Sequence, residues 1–294
     1  MPPDAPAKYA VLSPYRITDQ EFAFLRGLIE SVSGIHIAEN RKYLLQNRLS
    51  PRLRELGAKD FSQYLAALRG PGRAAEISRL LELVATNETS FFRNPPQLDY
   101  FRTVLLPEAI ETARRDNQKK LRVFSAGCSS GEEPYTAAIL IMEILGAELP
   151  AWDVRITAAD LSEAVLRRAK EGLYDEYALR STPPAIQARY FIQEGGARRI
   201  RPEVQKLVRF LRMNLNDPAQ LARIEPSRFV FCRNVIIYFN EDVKRRLLSG
   251  LHANLVPGGY LLVGHSESLA GMRDAFDQDR TPGAVAYRKK ADPA

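Results

Sequence analysis

Up to about residue 90 the apolar positions recur only at helical spacing. In "TDQEFAFLRGLIESVSG", Phe22, Leu25, Leu28, Ile29 and Val32 share one face, Thr18 and Asp19 stand where a cap is needed, and Gly34 ends the pattern. "RKYLLQNRLSPRLRELG", "DFSQYLAALRG" and "RAAEISRLLELVA" continue in this style without strand-like alternation. Residues 18–90 are therefore predicted to form a small helical domain behind a loose tail over residues 1–17, with 91–120 as a linker helix. From Leu121 the texture changes: "LRVFSA", "VRITAAD", "RFVFCRN" and "GGYLLVG" read as strands, separated by helical segments such as "EPYTAAILIMEILG", "SEAVLRRAKEG" and "EDVKRRLLSGLHANL". Strands alternating with helices predict an α/β fold whose doubly wound, mostly parallel sheet is covered on both faces, with ligands beyond the carboxyl ends of the strands. In "YFIQEGGARRIRPEVQKLVRFLRM" the pair Gly195-Gly196 separates alternating segments. This predicts a small antiparallel β insertion over about residues 188–213, inside a domain running from 121 to 294.

Composition narrows the classes. A chain of 294 residues, 45% hydrophobic and 26% charged, has room for two domains with cores of their own and is not disordered in character. The start lacks the apolar run of a signal peptide, and "AAILIMEIL", broken by Glu143, is far too short to span a bilayer. Cys128 and Cys232 are too few for a disulfide framework; both are expected as packed hydrophobes in a reduced, cytoplasmic protein. His36, His252 and His265 have no paired spacing, so no metal site is expected. The net charge of +7 calls for an anionic partner without naming it.

The turn "VFSAGCSSGEEPY" carries the first chemical signal. It has the strand, tight turn and helix start of a phosphate cradle, yet its glycines, Gly127 and Gly131, are spaced G-x-x-x-G, and the dinucleotide fingerprint is missing. Glu132 and Glu133 sit where a phosphate would be repelled. Part of this is explained structurally: Ser130 and Glu133 match a capping box, Pro134 suits a first helical turn, and acids are favoured at that end of a helix. A cationic ligand without phosphate is the functional alternative, and S-adenosylmethionine, with its sulfonium and ribose hydroxyls, is one. Asp160, at the end of "VRITAAD", is the acid expected to accept hydrogen bonds from such a ribose, although it would also serve as a cap.

"TNETSFFR" at 86–93, "SAGCSSGEEPY" at 125–135, "FCRNVIIYF" at 231–239 and "GGYLLVGHSESL" at 258–269 together resemble the CheR family of chemotaxis receptor methyltransferases. The similarity runs in order from about residue 18 to 288. It implies a class I methyltransferase that uses S-adenosylmethionine, leaving S-adenosylhomocysteine, to esterify glutamate side chains on cytoplasmic helices of chemoreceptors. Carried across, "NETSFFR" implies Asn87, Thr89 and Arg93 at the cofactor and active site. The turn implies Ala126 and Glu133, the second strand Asp160, and "MNLND" Asn214 and Leu215. "CRNVIIY" implies Arg233, Asn234 and Tyr238 at the mouth of the fourth strand. The placements are chemically sensible: methyl transfer from a sulfonium to a carboxylate neutralises charge, needs no general base, and asks mainly for alignment and desolvation. Arg93 is suited to hold a substrate carboxylate, and Tyr238 to place a hydroxyl near the methyl. The sequence assigns Ser266 and Glu267 no role.

On "RKYLLQNRLSPRLREL", Arg41, Lys42, Arg48, Arg52 and Arg54 face a single acid, Glu55, while Leu45, Leu49, Leu53 and Leu56 recur at helical spacing. Pro51 is a candidate kink. Such a face is usually only solvated, but the implied glutamate-rich receptor makes it a candidate docking surface. In the family the small insertion can bind a peptide tether at receptor C-termini; the short "QEGGAR" connection here points to tether-independent action, and the protein is separately expected to be a monomer. A nucleic-acid methyltransferase would also suit a basic helical domain, but "RNVIIYF" lacks the prolines of a base-clamping turn, so no nucleic-acid partner is expected. A non-catalytic adaptor retaining the cofactor fold is the remaining alternative.

Overall fold

The computed structural model describes residues 14–269 and 271–290, and the chain divides into two compact units, one up to Ala85 and one from Thr86 onward. Most of the expected tail, residues 1–13, lies outside the described residues.

Among the described residues the first unit holds four α-helices: α1 (Asp19–Ser33), α2 (Lys42–Glu55), α3 (Phe61–Ala67) and α4 (Arg73–Val84). Thr18 caps α1 through a reciprocal box, its hydroxyl accepting from the Glu21 N–H at 3.2 Å while Glu21 accepts from the Thr18 N–H at 2.8 Å. Helix α2 runs unbroken through Pro51, where the Ser50 hydroxyl donates to the Gln46 carbonyl at 2.6 Å. Leu45, Leu49 and Leu53 are buried on its inner face, whereas Leu56, just past the helix end, is exposed.

The second unit opens with α5 (Pro95–Tyr100), a π turn over Phe101–Leu105, and α6 (Leu106–Arg115). It continues through β1 (Lys120–Ala126), α7 (Glu132–Leu145), β2 (Asp153–Asp160), α8 (Glu163–Glu171), β3 (Leu173–Tyr174), α9 (Glu176–Leu179), α10 (Pro184–Tyr190), β4 (Phe191–Glu194), β5 (Ala197–Ile200) and α11 (Pro202–Gln205). The rest is β6 (Val208–Arg212), α12 (Pro218–Leu221), β7 (Ser227–Cys232), α13 (Glu241–Asn254), β8 (Leu255–Val263), β9 (Phe276–Thr281) and β10 (Ala284–Lys289). The seven-stranded sheet has the order β6-β2-β1-β7-β8-β10-β9, parallel from β6 to β8 and antiparallel at β10 and β9. The chain winds outward from β1 through β2 to β6, then returns to β7 on the other side of β1. The carboxyl ends of β1 and β7 therefore form the switch point where such sheets bind ligands.

The helix predicted as a linker belongs to this unit. Gln97 of α5 is buried, and its amide donates to the carbonyls of Val263 and Val285 at 2.9 and 3.0 Å, fixing α5 to the ends of β8 and β10. The insertion also differs from its predicted span: the small antiparallel sheet is β3-β5-β4, starting at Leu173, while β6 pairs in parallel with β2. As the edge of the large sheet β6 is only partly covered, with Arg209 and Arg212 exposed and no fully buried residue, so it lacks the continuous apolar run of a central parallel strand. Among the described residues no helix is long and apolar enough to cross a membrane.

Candidate functional site

The loops leaving β1, β2, β6 and β7 converge with the segment Thr86–Asn94, which is pinned at several points. The Phe91 N–H donates to the Ala178 carbonyl at 2.9 Å, and the Phe92 N–H to the Thr136 hydroxyl on α7 at 3.2 Å. The Asn87 carbonyl accepts from the Ser129 hydroxyl at 3.2 Å, and the Arg93 carbonyl from the Arg233 guanidinium at 2.5 Å. Arg93 itself is half-buried and donates to the Glu88 carbonyl at 3.0 Å; Asn87 and Thr89 are half-buried beside it in sequence. Outside glycine, positive φ among the described residues occurs at Phe92, Asn94, Asn117, Ser129 and Asn234, and all but Asn117 lie on these converging segments. Each such residue costs about 1 kcal/mol or more, and persists only where neighbouring contacts impose the conformation.

In the turn after β1, Gly131 adopts φ +95, and a Cβ there would lie 2.9 Å from that of Ala169, so the turn requires glycine. The predicted capping box is absent. Gly131 is the N-cap without a side-chain bond, and the Ser130 hydroxyl donates instead to both oxygens of Glu132, at 3.0 and 2.9 Å. Glu132 is buried, which pushes its carboxyl up to about 6. Glu133 turns inward: it accepts from the Ser125 hydroxyl at 2.7 Å and pairs with Arg233 at 3.4 Å, the two side chains being only 14% and 4% exposed. Burial pushes the Glu133 carboxyl up against the pull of Arg233 and Ser125. An arginine keeps its proton, so Glu133 is the softer partner of this pair. Ala126, fully buried, pairs in register with Ala159 of β2.

Asp160 closes the second strand and is also buried. Its two oxygens accept from the main-chain N–H groups of Ser129 and Ser162, each at 2.9 Å, while burial pushes the carboxyl up. It thereby ties the β1 turn to the start of α8. The Met213 N–H donates to the Asp160 carbonyl at 2.9 Å, which brings the 213–215 loop alongside. There Asn214 accepts from the Asn216 N–H at 3.0 Å and Leu215 is buried. After β7, Asn234 has φ +59, and Tyr238 is half-buried in the turn Ile236–Tyr238. Cys128 and Cys232 are buried and their thiols pushed well above the usual range by burial, as expected of packed, unreactive groups.

Sequence reasoning missed Glu267, whose carboxylate lies between the ends of β7 and β8, and the inward turn of Glu133. A glutamate in "GHSES" is silent by itself; only the position of that motif at a strand's carboxyl end pointed to the site.

The five cations proposed for docking lie in the helical unit, and three have partners there. Lys42 pairs with Asp19 at 2.7 Å, Arg48 donates to the Val84 carbonyl, and Arg52 grips Glu76 with two bonds of 3.0 and 2.6 Å while also pairing with Glu55. Arg41 and Arg54 are exposed.

Residues 20–85 match the family model described as CheR methyltransferase, all-alpha domain, and residues 87–285 match CheR methyltransferase, SAM binding domain. The chain belongs to the CheR methyltransferase family. It is 34% identical over 280 residues to chemotaxis protein methyltransferase 1 of Vibrio cholerae, an alignment covering 93% of this chain and 98% of that one. It is 32% identical over 259 residues to the chemotaxis protein methyltransferase of Borreliella burgdorferi, covering 88% and 91%. Its class I fold and its cofactor, S-adenosylmethionine, follow from this membership. The donor set fits that cofactor. The turn after β1 offers acids and no free cation to a phosphate, Arg233 being engaged by Glu133, and each Asp160 oxygen retains acceptor capacity for a hydroxyl.

Proposed function

We propose that this CheR methyltransferase esterifies glutamate side chains on cytoplasmic helices of chemoreceptors, as a protein-glutamate O-methyltransferase of chemotaxis. S-adenosylmethionine supplies a methyl group on a sulfonium, and a carboxylate receiving it becomes an ester with no proton to lose. The chain's own residues therefore have to align and shield rather than take protons. The observation that carries this reading is the setting of Arg93. Its main chain is held by the buried Arg233–Glu133 pair, and its half-buried side chain, bonded only to the neighbouring Glu88 carbonyl in the described contacts, is a fork suited to a substrate carboxylate. Tyr238 would place its hydroxyl on the β7 side of the same crevice, and Asp160, Glu133, Ala126, Asn87, Thr89, Asn214, Leu215 and Asn234 would contact the cofactor.

Arg41 and Arg54, with the cationic background of α2, are the receptor-facing charges in this reading. The two-residue link between β4 and β5, Gly195-Gly196, supports action without a receptor C-terminal tether. Methyl-labelled cofactor supplied with receptor cytoplasmic fragments tests the proposal: alkali should release the incorporated label as volatile methanol, and an alkali-stable product or no incorporation would refute it. Binding of a receptor C-terminal pentapeptide would refute tether independence separately.

A further inference from the structure

We propose, resting on the methyl-transfer reading, that Glu267 is a positioning residue whose buried carboxylate sets the turn carrying Asn234 and Tyr238. The residue is 9% exposed and belongs to the exit of β8, yet two of its three main-chain partners lie in the exit of β7. Oε2 accepts from the N–H of Gly264 at 2.6 Å and from that of Asn234 at 2.7 Å, and Oε1 accepts from the N–H of Ile237 at 3.3 Å. The carboxylate thus closes both ends of the stretch Asn234–Ile237. Tyr238 follows immediately, its own N–H returning to the Val235 carbonyl at 3.2 Å inside the span so fixed.

Two features show that this junction is built rather than incidental. Asn234 is held at φ +59, which needs an outside contact to be worth keeping, and its N–H is the one Glu267 binds. A Cβ on Gly264 would stand 2.7 Å from the Glu267 Oε2 and 3.0 Å from the Asn234 nitrogen, so a side chain at 264 would push the acid and the turn apart. A carboxylate accepts in every direction that these donors approach, whereas an amide in its place must aim an N–H at one of them. With its oxygen kept toward Gly264 and Asn234, glutamine would lose the Ile237 bond and free the half of the turn next to Tyr238.

The test is Glu267→Gln in the full chain, in wild-type and Tyr238→Phe backgrounds, with Gly264→Ala as an independent way to displace the acid. Hydrogen exchange at the Ile237 amide should accelerate by about tenfold or more in Glu267→Gln, a readout that does not depend on turnover. Turnover should fall about tenfold with the cofactor KM within about twofold, because misalignment acts on the reacting state. In the Tyr238→Phe background the same change should lower turnover by less than about twofold, the signature of action through Tyr238. Gly264→Ala should reproduce the faster exchange and the background-dependent loss of turnover, and, because it also displaces Asn234, should raise the cofactor KM. Equal loss in both backgrounds, or unchanged exchange and turnover, overturns the proposal. Wild-type protein that esterifies no carboxylate overturns the underlying reading and the positioning role together, whereas wild-type transfer matched by Glu267→Gln overturns the positioning role alone.

Discussion

The cations of α2 and the buried acids of the candidate site are answered by different kinds of partner. On α2 the cations meet carboxylates of other helices or of their own: Lys42 meets Asp19, which is almost wholly exposed, and Arg52 meets the exposed Glu55 and the buried Glu76. At the candidate site the buried acids are answered largely by main-chain N–H groups and hydroxyls, Asp160 by two N–H groups, Glu267 by three, Glu132 by Ser130, and Glu133 by Ser125 and one arginine. A surface pair is screened, exchangeable and weak. A buried acid bound to the main chain fixes where that chain runs. Exposed cations outside such pairs, Arg41 and Arg54, are open to a partner; buried acids bound to the main chain shape a site, and removing one should disturb far more than its own contact.

The largest effect is expected at Arg233. Arg233→Met leaves Glu133 buried without its cation and the Arg93 carbonyl without its donor. Urea unfolding should show a loss of about 3–5 kcal/mol, and adding Glu133→Gln should recover much of it by removing the stranded charge. A loss as small as that of a surface pair would erase the contrast between the two regions. Next comes Arg93→Ala, which touches no buried pair: its turnover should fall on the order of 10²-fold through misalignment of the acceptor, while its thermal midpoint stays near that of the wild type. Unchanged turnover at saturating cofactor would remove Arg93 from the mechanism.

Glu132 separates burial from pairing. Its carboxyl is raised from 4.5 to about 6 by burial, so the folded chain holds this proton more tightly than the unfolded chain. Stability from this group is then full below about pH 4.5 and is lost as pH rises through about 6. Glu132→Gln copies the protonated form. Relative to wild type it should be neutral near pH 4 and stabilising by about 2 kcal/mol above pH 7, read from urea unfolding at the two pH values. A constant difference across that range would mean that the Ser130 bonds, not burial, govern the group.

Much of this was legible in the sequence because periodicity and turn chemistry are local. The Thr18 cap, the Gly34 stop, the strands ending at Ala126, Asp160 and Cys232, and the G-x-x-x-G turn all declare themselves within a few residues. What was hidden depends on distant partners. Nothing near Glu133 says that it will pair with a residue 100 positions away rather than cap its own helix, and nothing near Glu267 names Asn234. Strand β6 mixes arginines with apolar residues and has no buried run, and only its pairing with β2 assigns it to the large sheet. The basic stripe of α2 was visible, but not that Glu76, on another helix, would engage one of its arginines through both carboxylate oxygens.

The smallest stability effects are expected at the exposed cations, and there the comparison becomes sharpest. Arg41→Ser with Arg54→Ser breaks none of the ion pairs that hold α2 in place, so the unfolding midpoint should not move measurably. Arg52→Ala, by contrast, strands Glu76 among buried neighbours and should cost on the order of 1 kcal/mol. Affinity for an acidic receptor fragment should reverse the order. The Arg41 and Arg54 double variant should bind more weakly at low salt and converge with the wild type near 1 M, where the Debye length is about 3 Å, whereas Arg52→Ala, whose charge is already answered by Glu76 and Glu55, should bind nearly as well as wild type. If Arg52→Ala weakens binding as much as the double variant does, its ion pairs leave the charge available after all, and the division between structural and docking cations on α2 fails.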